Sequence, residues 1–263
     1  MNKKTQVAIL MATLTMQVGA MDGGITETII FNGCKHTPSN CLRFVGYKYG
    51  HRENGYRIKK VCIRKQIPAH TKVKLIIPAK VGRHLIQTER RAFAGLNNDN
   101  LRISLFFRYS NRYMNLPKNC EKMFYNSSSI TDIDFSGINR NSKITNMSSM
   151  FEGCNNLRQI TWGNLDTRYT RTMDKMFMNC KKLENLNLST FDTSRVETMR
   201  YMFGHCHNLR SININNFDTS NVNSMEAMFV KCKSLPYLDL RDFNTRSVWS
   251  MERMFKGCSN LSF

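Results

Sequence analysis

The chain has 263 residues, 41% hydrophobic and 10% aromatic, enough apolar surface to build a core and to exclude a disordered chain. Its 39 Lys and Arg against 19 Asp and Glu leave a net charge of +20, which favours acidic partners over basic ones. The excess is uneven: residues 21–119 hold 19 basic and 5 acidic residues, a difference of +14, whereas residues 120–263 hold 18 and 14, a difference of +4.

In chain order, Lys3 and Lys4 precede an apolar run from Val7 to Met16, and Val18-Gly19-Ala20 has the small residues of a cleavage site. Residues 1–20 therefore read as a signal peptide, with the mature chain starting at Met21. The apolar run is too short to span a bilayer, and no later stretch reads as transmembrane. Residues 21–65 are expected to be a basic N-terminal cap, which a solenoid needs over its first core face. Within them Cys34 and Cys41, with six residues between them, are a candidate disulfide in a secreted chain.

From residue 120 the sequence repeats itself. Met-Phe recurs at Met123-Phe124, Met150-Phe151, Met176-Phe177, Met202-Phe203, Met228-Phe229 and Met254-Phe255, with steps of 27, 26, 26, 26 and 26 residues. Three residues after each of the last five Phe stands a Cys: Cys154, Cys180, Cys206, Cys232 and Cys258; the first slot holds Ser127. Leu183, Leu186 and Leu188 have the spacing of a leucine-rich-repeat strand, matched by Leu209, Ile212, Ile214 and by Leu235, Leu238, Leu240. Ser194 and Glu197 have capping-box spacing, and Val196, Met199, Met202 and Phe203 share one helical face, so a short helical turn is expected there. Where the Val slot holds Thr170, a weak point in the core is expected. The expected fold is an α/β solenoid, a leucine-rich-repeat stack with one short strand and one short helical turn per 26-residue repeat.

The pattern M-x-x-M-F-x-x-C-x-x-L-x-x-L-x-L-x-x-F-D-T-S-x-V, complete from Met199 to Val222, resembles the BspA-like leucine-rich repeats of bacterial surface proteins. The resemblance covers residues 120–263. Residues 66–119 resemble one degenerate copy of the sister repeat, through Ile76-Ile77-Pro78, Ala92-Phe93-Ala94-Gly95 and Leu101-Arg102-Ile103. The resemblance implies a secreted or surface-exposed adhesion module that binds host or partner-cell proteins or glycans. It implies no chemistry and no cofactor.

Strand pleat logic turns alternate residues outward and gives a candidate binding face: Gln159, Thr161, Asn185, Asn187, Ser211, Asn213, Tyr237, Asp239 and Arg241, preceded by Asp132, Asp134 and Ser136. The five repeat cysteines lack zinc-ligand spacing and are expected to be buried thiols, and the Met stripe is expected to be core. His36, His51, His70, His84, His205 and His207 fall in no metal-binding motif, so neither a metal site nor a catalytic set is expected. Asp192, Asp218 and Asp242 recur once per repeat, which points to turns. The alternative function is a charge-driven polyanion or nucleic-acid binder through the basic N-terminal region, where Phe44, Tyr47, Tyr49, Tyr56, Phe106, Phe107, Tyr109 and Tyr113 interleave with cations; nucleic acid is the less expected partner. Because Leu261 opens a strand that Phe263 leaves unfinished, self-association through the C-terminal repeat is expected.

Overall fold

A computed structural model describes residues 26–30, 42–49, 55–63, 71–78, 80–81, 84–108 and 113–262. Residues 1–20, Cys34, Cys41, His36, His51, His70 and Tyr109 lie outside the described residues. The strands are β1 (Thr26–Ile30), β2 (Leu42–Tyr49), β3 (Gly55–Ile63), β4 (Thr71–Pro78), β5 (Lys80–Val81), β6 (His84–Thr88), β7 (Leu101–Arg108), β8 (Ile130–Asp134), β9 (Gln159–Thr161), β10 (Asn185–Asn187) and β11 (Ser211–Asn213).

Parallel neighbours separated by one coil of chain are what a stack of repeats requires. β1-β4-β7-β8-β9 form one parallel sheet, and β10-β11 form a second parallel pair. Residues 26–30 and 71–78, ahead of the Met-Phe repeats, thus add strands to the same sheet. A smaller mixed sheet, in the order β2-β3-β6-β5, is tied to the turn that carries Phe93: Val61 N–H donates to the Ala92 carbonyl (2.7 Å).

Alternation sets the core. Along β7, Leu101, Ile103, Leu105 and Phe107 are buried, while Arg102, Ser104 and Phe106 are half-buried. Opposite the strands, the Met-Phe phenylalanines form a column. Phe93, Phe124, Phe151, Phe177, Phe203, Phe229 and Phe255 stack face to face, with neighbouring centroids 5.2–5.8 Å apart. Phe93, from the degenerate copy, opens the column. A second column of Phe107, Phe135 and Trp162 meets the first edge-on.

The expected helical turn is not found, and no helix occurs among the described residues. The reason lies in the backbone. Two residues per repeat, four apart, take left-handed φ: Lys122 and Asn126, Lys175 and Asn179, Tyr201 (55°) and His205 (60°), Ala227 and Lys231. A left-handed residue in every turn ends an α-helix. Instead the N–H groups alternate between a tight local bond and a bond to the next repeat. Met202 N–H returns to the Met199 carbonyl (3.2 Å), Tyr201 N–H reaches the Glu226 carbonyl (2.9 Å), and Phe203 N–H reaches the Met228 carbonyl (2.9 Å). The turn side is therefore a second hydrogen-bonded ladder. It buries Val196, Met199, Met202 and Phe203 together, the same set that a helix face would bury. The left-handed slot two after each Phe also accounts for Gly95, Gly153 and Gly257, all at positive φ.

Two further expectations are corrected. Thr170 is fully buried and donates its hydroxyl to the Ile144 carbonyl (3.1 Å), so the slot is hydrogen-bonded rather than weak. No strand forms at Leu235, Leu238 and Leu240. Arg210 enters β11 by donating its N–H to the Glu184 carbonyl (2.8 Å); Pro236, in the equivalent position of the next repeat, has no N–H to donate. Leu238, Leu240 and Phe243 are half-buried beside the core, while Trp249 (72%) and Met251 (47%) are exposed.

A polar column also crosses the stack. Thr167, Thr193 and Thr219 are buried, and each donates its hydroxyl to a carbonyl of the next repeat, at Asp192 (2.9 Å), Asp218 (2.9 Å) and Asn244 (3.0 Å). Thr219 Oγ1 also accepts the Asn244 N–H (2.8 Å). Thr219→Val strands both backbone groups and is expected to cost about 1–3 kcal/mol in urea unfolding. Thr245→Val, at the exposed equivalent position, should cost under about 0.5 kcal/mol; equal losses would contradict the bridging role.

Candidate binding face

Each strand that buries one set of side chains must present the other. Gln159, Thr161, Asn185, Asn187 and Ser211 are exposed, and Asn213 is half-buried. The register sets them side by side within each of the two parallel sheets: Asp132 stands beside Gln159 and Asp134 beside Thr161 in the first, Asn185 beside Ser211 and Asn187 beside Asn213 in the second. Neighbouring strands lie about 4.8 Å apart, so these amides and hydroxyls form a regularly spaced row on a hydrogen-bonded floor. Tyr237 (64% exposed), Asp239 and Arg241 follow the row but lie outside any strand. Asp239 and Arg241 pair with each other at 2.7 Å, and the Arg241 side chain and N–H hold the Asp239 carboxyl well below the usual carboxylate range.

The edge of the solenoid is built by turn chemistry. Asp192 Oδ1 accepts the Ser194 N–H (3.0 Å) and hydroxyl (2.7 Å), and Asp218 Oδ1 accepts the Ser220 N–H (2.9 Å). The third member of this set is Asn244, which accepts the Arg246 N–H (3.1 Å); Asp242, expected from the sequence, lies two residues away. Ser194 thus closes an Asx turn around Asp192 rather than capping a helix.

His205 and His207 lie on the other edge, their rings 5.8 Å apart. Burial, with Lys181, Lys231 and Lys233 close by, holds both imidazoles below the ordinary histidine range. No cluster of three His, Cys, Asp or Glu that could hold a metal occurs among the described residues. Cys154, Cys180, Cys206 and Cys232 are buried within the core, whereas Cys258, expected to be buried with them, is half-buried in the last repeat.

Sequence reasoning missed the most strongly charged part of this face. Lys72, Lys74, Arg102, Ser104 and Phe106 are the outward residues of β4 and β7, and together with Arg158 and Lys182 they line one recess. The signal was present in the period-two alternation of Lys72-Val73-Lys74-Leu75 and Arg102-Ile103-Ser104-Leu105. Of the interleaved aromatics, Phe107 is core, Tyr113 is exposed at 47%, Phe44, Tyr47 and Tyr49 are on β2, and Tyr56 is on β3.

A family model described as "Mycoplasma protein of unknown function, DUF285" matches residues 118–213 and 184–262. Comparison with curated proteins finds no match. Among solved structures, the fold is similar to a leucine-rich cell surface protein from Faecalibacterium prausnitzii A2-165, with TM-score 0.50, 16% identity and 85% of this chain covered. The chain spans about half, 52%, of that protein's length. A leucine-rich-repeat protein of T. pallidum is similar at TM-score 0.39 and 15% identity, over 77% of this chain and 91% of that one. The chain has the leucine-rich-repeat fold, of the BspA-like type that its repeats resemble.

Proposed function

The chain belongs to the family described as Mycoplasma protein of unknown function, DUF285, whose model its repeats fill from residue 118 to residue 262, and from that premise we propose that it is a binding protein, not a catalyst, displayed at or secreted from the cell surface. One observation carries the reading: the row of exposed polar side chains from Gln159 to Ser211, borne on the last strands of one parallel sheet and on the parallel pair that follows it. A preformed surface of hydrogen-bonding groups binds without paying for loop ordering. The polar positions recur from strand to strand, as a surface for an extended partner would. Such a partner would be a macromolecule of a neighbouring or host cell, protein or glycan. The cell-surface description of the Faecalibacterium relative and the apolar run at Val7 to Met16 favour an extracellular setting.

The test is binding of the labelled full chain to intact cells. Asn185→Leu combined with Ser211→Leu removes two hydrogen-bonding groups from the middle of the row without changing its charge and is expected to reduce cell binding by about tenfold, the effect of losing one or two well-placed contacts. Lys175→Glu, on the turn side, should leave binding unchanged. Retained binding in the Asn185/Ser211 variant would overturn the strand-face assignment.

A further inference from the structure

At the end of the strand face formed by β4, β7 and β8 lies a recess of about 510 Å³. Five cations line it: Lys72 and Lys74 from β4, Arg102 from β7, and Arg158 and Lys182 from the segments entering β9 and β10. The register places Lys72 directly beside Arg102, and like charges side by side on a sheet are unfavourable unless an anion offsets them. None of the five forms an ion pair with a carboxylate among the described residues, whereas Arg90, Arg168, Arg171, Arg200, Arg241 and Arg253 each do. Asp132, the one acid in the recess, already accepts the hydroxyls of Ser104 (2.9 Å) and Thr131 (2.6 Å) on one oxygen. The Arg102 guanidinium is held in place by the carbonyls of Asp99 (3.0 Å) and Leu101 (2.8 Å). Beyond Lys182 the positive strip continues through Lys181, Lys231 and Lys233 around His205 and His207.

We propose that this recess binds an anionic polysaccharide, a carboxylated or sulfated sugar chain; the inference rests on the strand-face reading and names the ligand class at one end of it. Charge alone selects an anion, and the rest of the lining selects the kind. The strip outruns the recess, which suits a polymer better than a small ion. Hydroxyl and amide groups at Ser104, Thr131 and Asn156 alternate with the cations, as a ligand carrying both hydroxyls and anions requires. Single-stranded nucleic acid needs a series of open aromatic platforms. The recess has one ring, Phe106, and Lys74 Nζ already lies 5.1 Å from its centroid. A bilayer is flat and cannot follow the floor of a recess. An acidic peptide gains most from pairing its backbone with a free strand edge, whereas here the floor is a sheet face whose backbone is paired on both sides of β7.

The experiment measures binding of the full chain to heparin and to polygalacturonate, with neutral dextran, oligo(dT), polyglutamate and phosphatidylserine vesicles as competitors. Both anionic glycans should bind and dextran should not, and affinity should fall steeply between roughly 50 and 200 mM salt. Lys74→Glu with Arg158→Glu should weaken glycan binding by about tenfold or more, whereas Arg140→Glu with Arg246→Glu, the same change in net charge at exposed positions on the Asx-turn edge, should weaken it by less than about twofold. The neutral pair Lys74→Gln with Arg158→Gln should lose less than the charge reversal, so a folding defect is told apart from a lost site. Equal losses in the recess and edge variants, or stronger binding of oligo(dT), polyglutamate or the vesicles, would overturn the proposal. If neither glycan binds while the Asn185/Ser211 variant still loses cell binding, the recess assignment fails and the strand-face reading stands.

Discussion

Phe177→Ala is expected to destabilise the chain by about 3–5 kcal/mol, a large fraction of the stability of an ordinary domain. Phe177 is fully buried at the middle of the phenylalanine column. Its ring stacks on Phe151 at 5.4 Å and 9° and on Phe203 at 5.7 Å and 4°, and meets Trp162 edge-on at 6.1 Å and 79°. Each such contact adds about 0.5–1.5 kcal/mol to the burial itself. The repeats limit any relief. Phe177 N–H is bonded to the Met202 carbonyl (2.8 Å), and its own carbonyl accepts the Cys206 thiol (3.1 Å). The backbone on both sides is thus fixed and cannot collapse into the space left. A solenoid is held only by nearest neighbours, so the damage should be local as well as large. Hydrogen exchange should speed up in residues 150–204 before it does so near residues 95–130. Asn187→Ala, at an exposed position, should cost under about 0.5 kcal/mol. Urea unfolding decides the matter: a Phe177 variant within about 1 kcal/mol of the parent would mean that the column is not the core.

The repeat was legible because burial imposes it. A side chain that must pack on the same side chain one coil away leaves a fixed step between identical residues, and the Met-Phe pairs record that step. The turn side was misread because hydrophobic spacing reports which residues are buried, not how the backbone gets there. Met199, Met202 and Phe203 are buried together in the turn ladder as they would be in a helix, and only the left-handed φ at Tyr201 and His205 separates the two. Tyr201 does not announce that conformation, but the slot of His205 did: five of its seven copies are Gly or Asn, at Gly95, Asn126, Gly153, Asn179 and Gly257. Pro236 did announce the missing strand, through the N–H it lacks. The outward set of the repeat strands followed from pleat parity, whereas the recess did not. Its cations come from β4, β7 and the entries to β9 and β10, segments spread over more than a hundred residues that only the parallel register brings together. The excess charge of residues 21–119 gave its sign but not its place.

The repeat cysteines lead to the second large effect. In the folded chain Cys154, Cys180, Cys206 and Cys232 should resist iodoacetamide, while Cys62 and Cys258, both half-buried, react first. Each thiol of the ladder is enclosed by the core and donates to the carbonyl of a column phenylalanine: Cys154 to Phe124 (3.1 Å), Cys180 to Phe151 (3.2 Å), Cys206 to Phe177 (3.1 Å) and Cys232 to Phe203 (3.1 Å). Ser127, which fills the slot in the first repeat, makes the same bond to Phe93 at 2.6 Å. The ladder is therefore a hydrogen-bonding position that accepts either a thiol or a hydroxyl, and Cys206→Ser should fold with a loss under about 1.5 kcal/mol. Burial pushes the Cys154 and Cys206 thiols up to about 12, and the same cause raises Cys180 and Cys232. The thiolate is the reactive form, so at pH 8 such a thiol holds on the order of a thousandfold less of it than an ordinary cysteine. Restricted access slows the reaction further, and the same two factors keep the ladder reduced in an oxidising extracellular setting. Peptide mass mapping after labelling reads the pattern, and in denaturant all four sites should label. A disulfide between neighbouring repeats, or labelling of Cys206 in the folded chain at the rate of Cys62, would show that the thiols are open to solvent and that the stack is not closed around them.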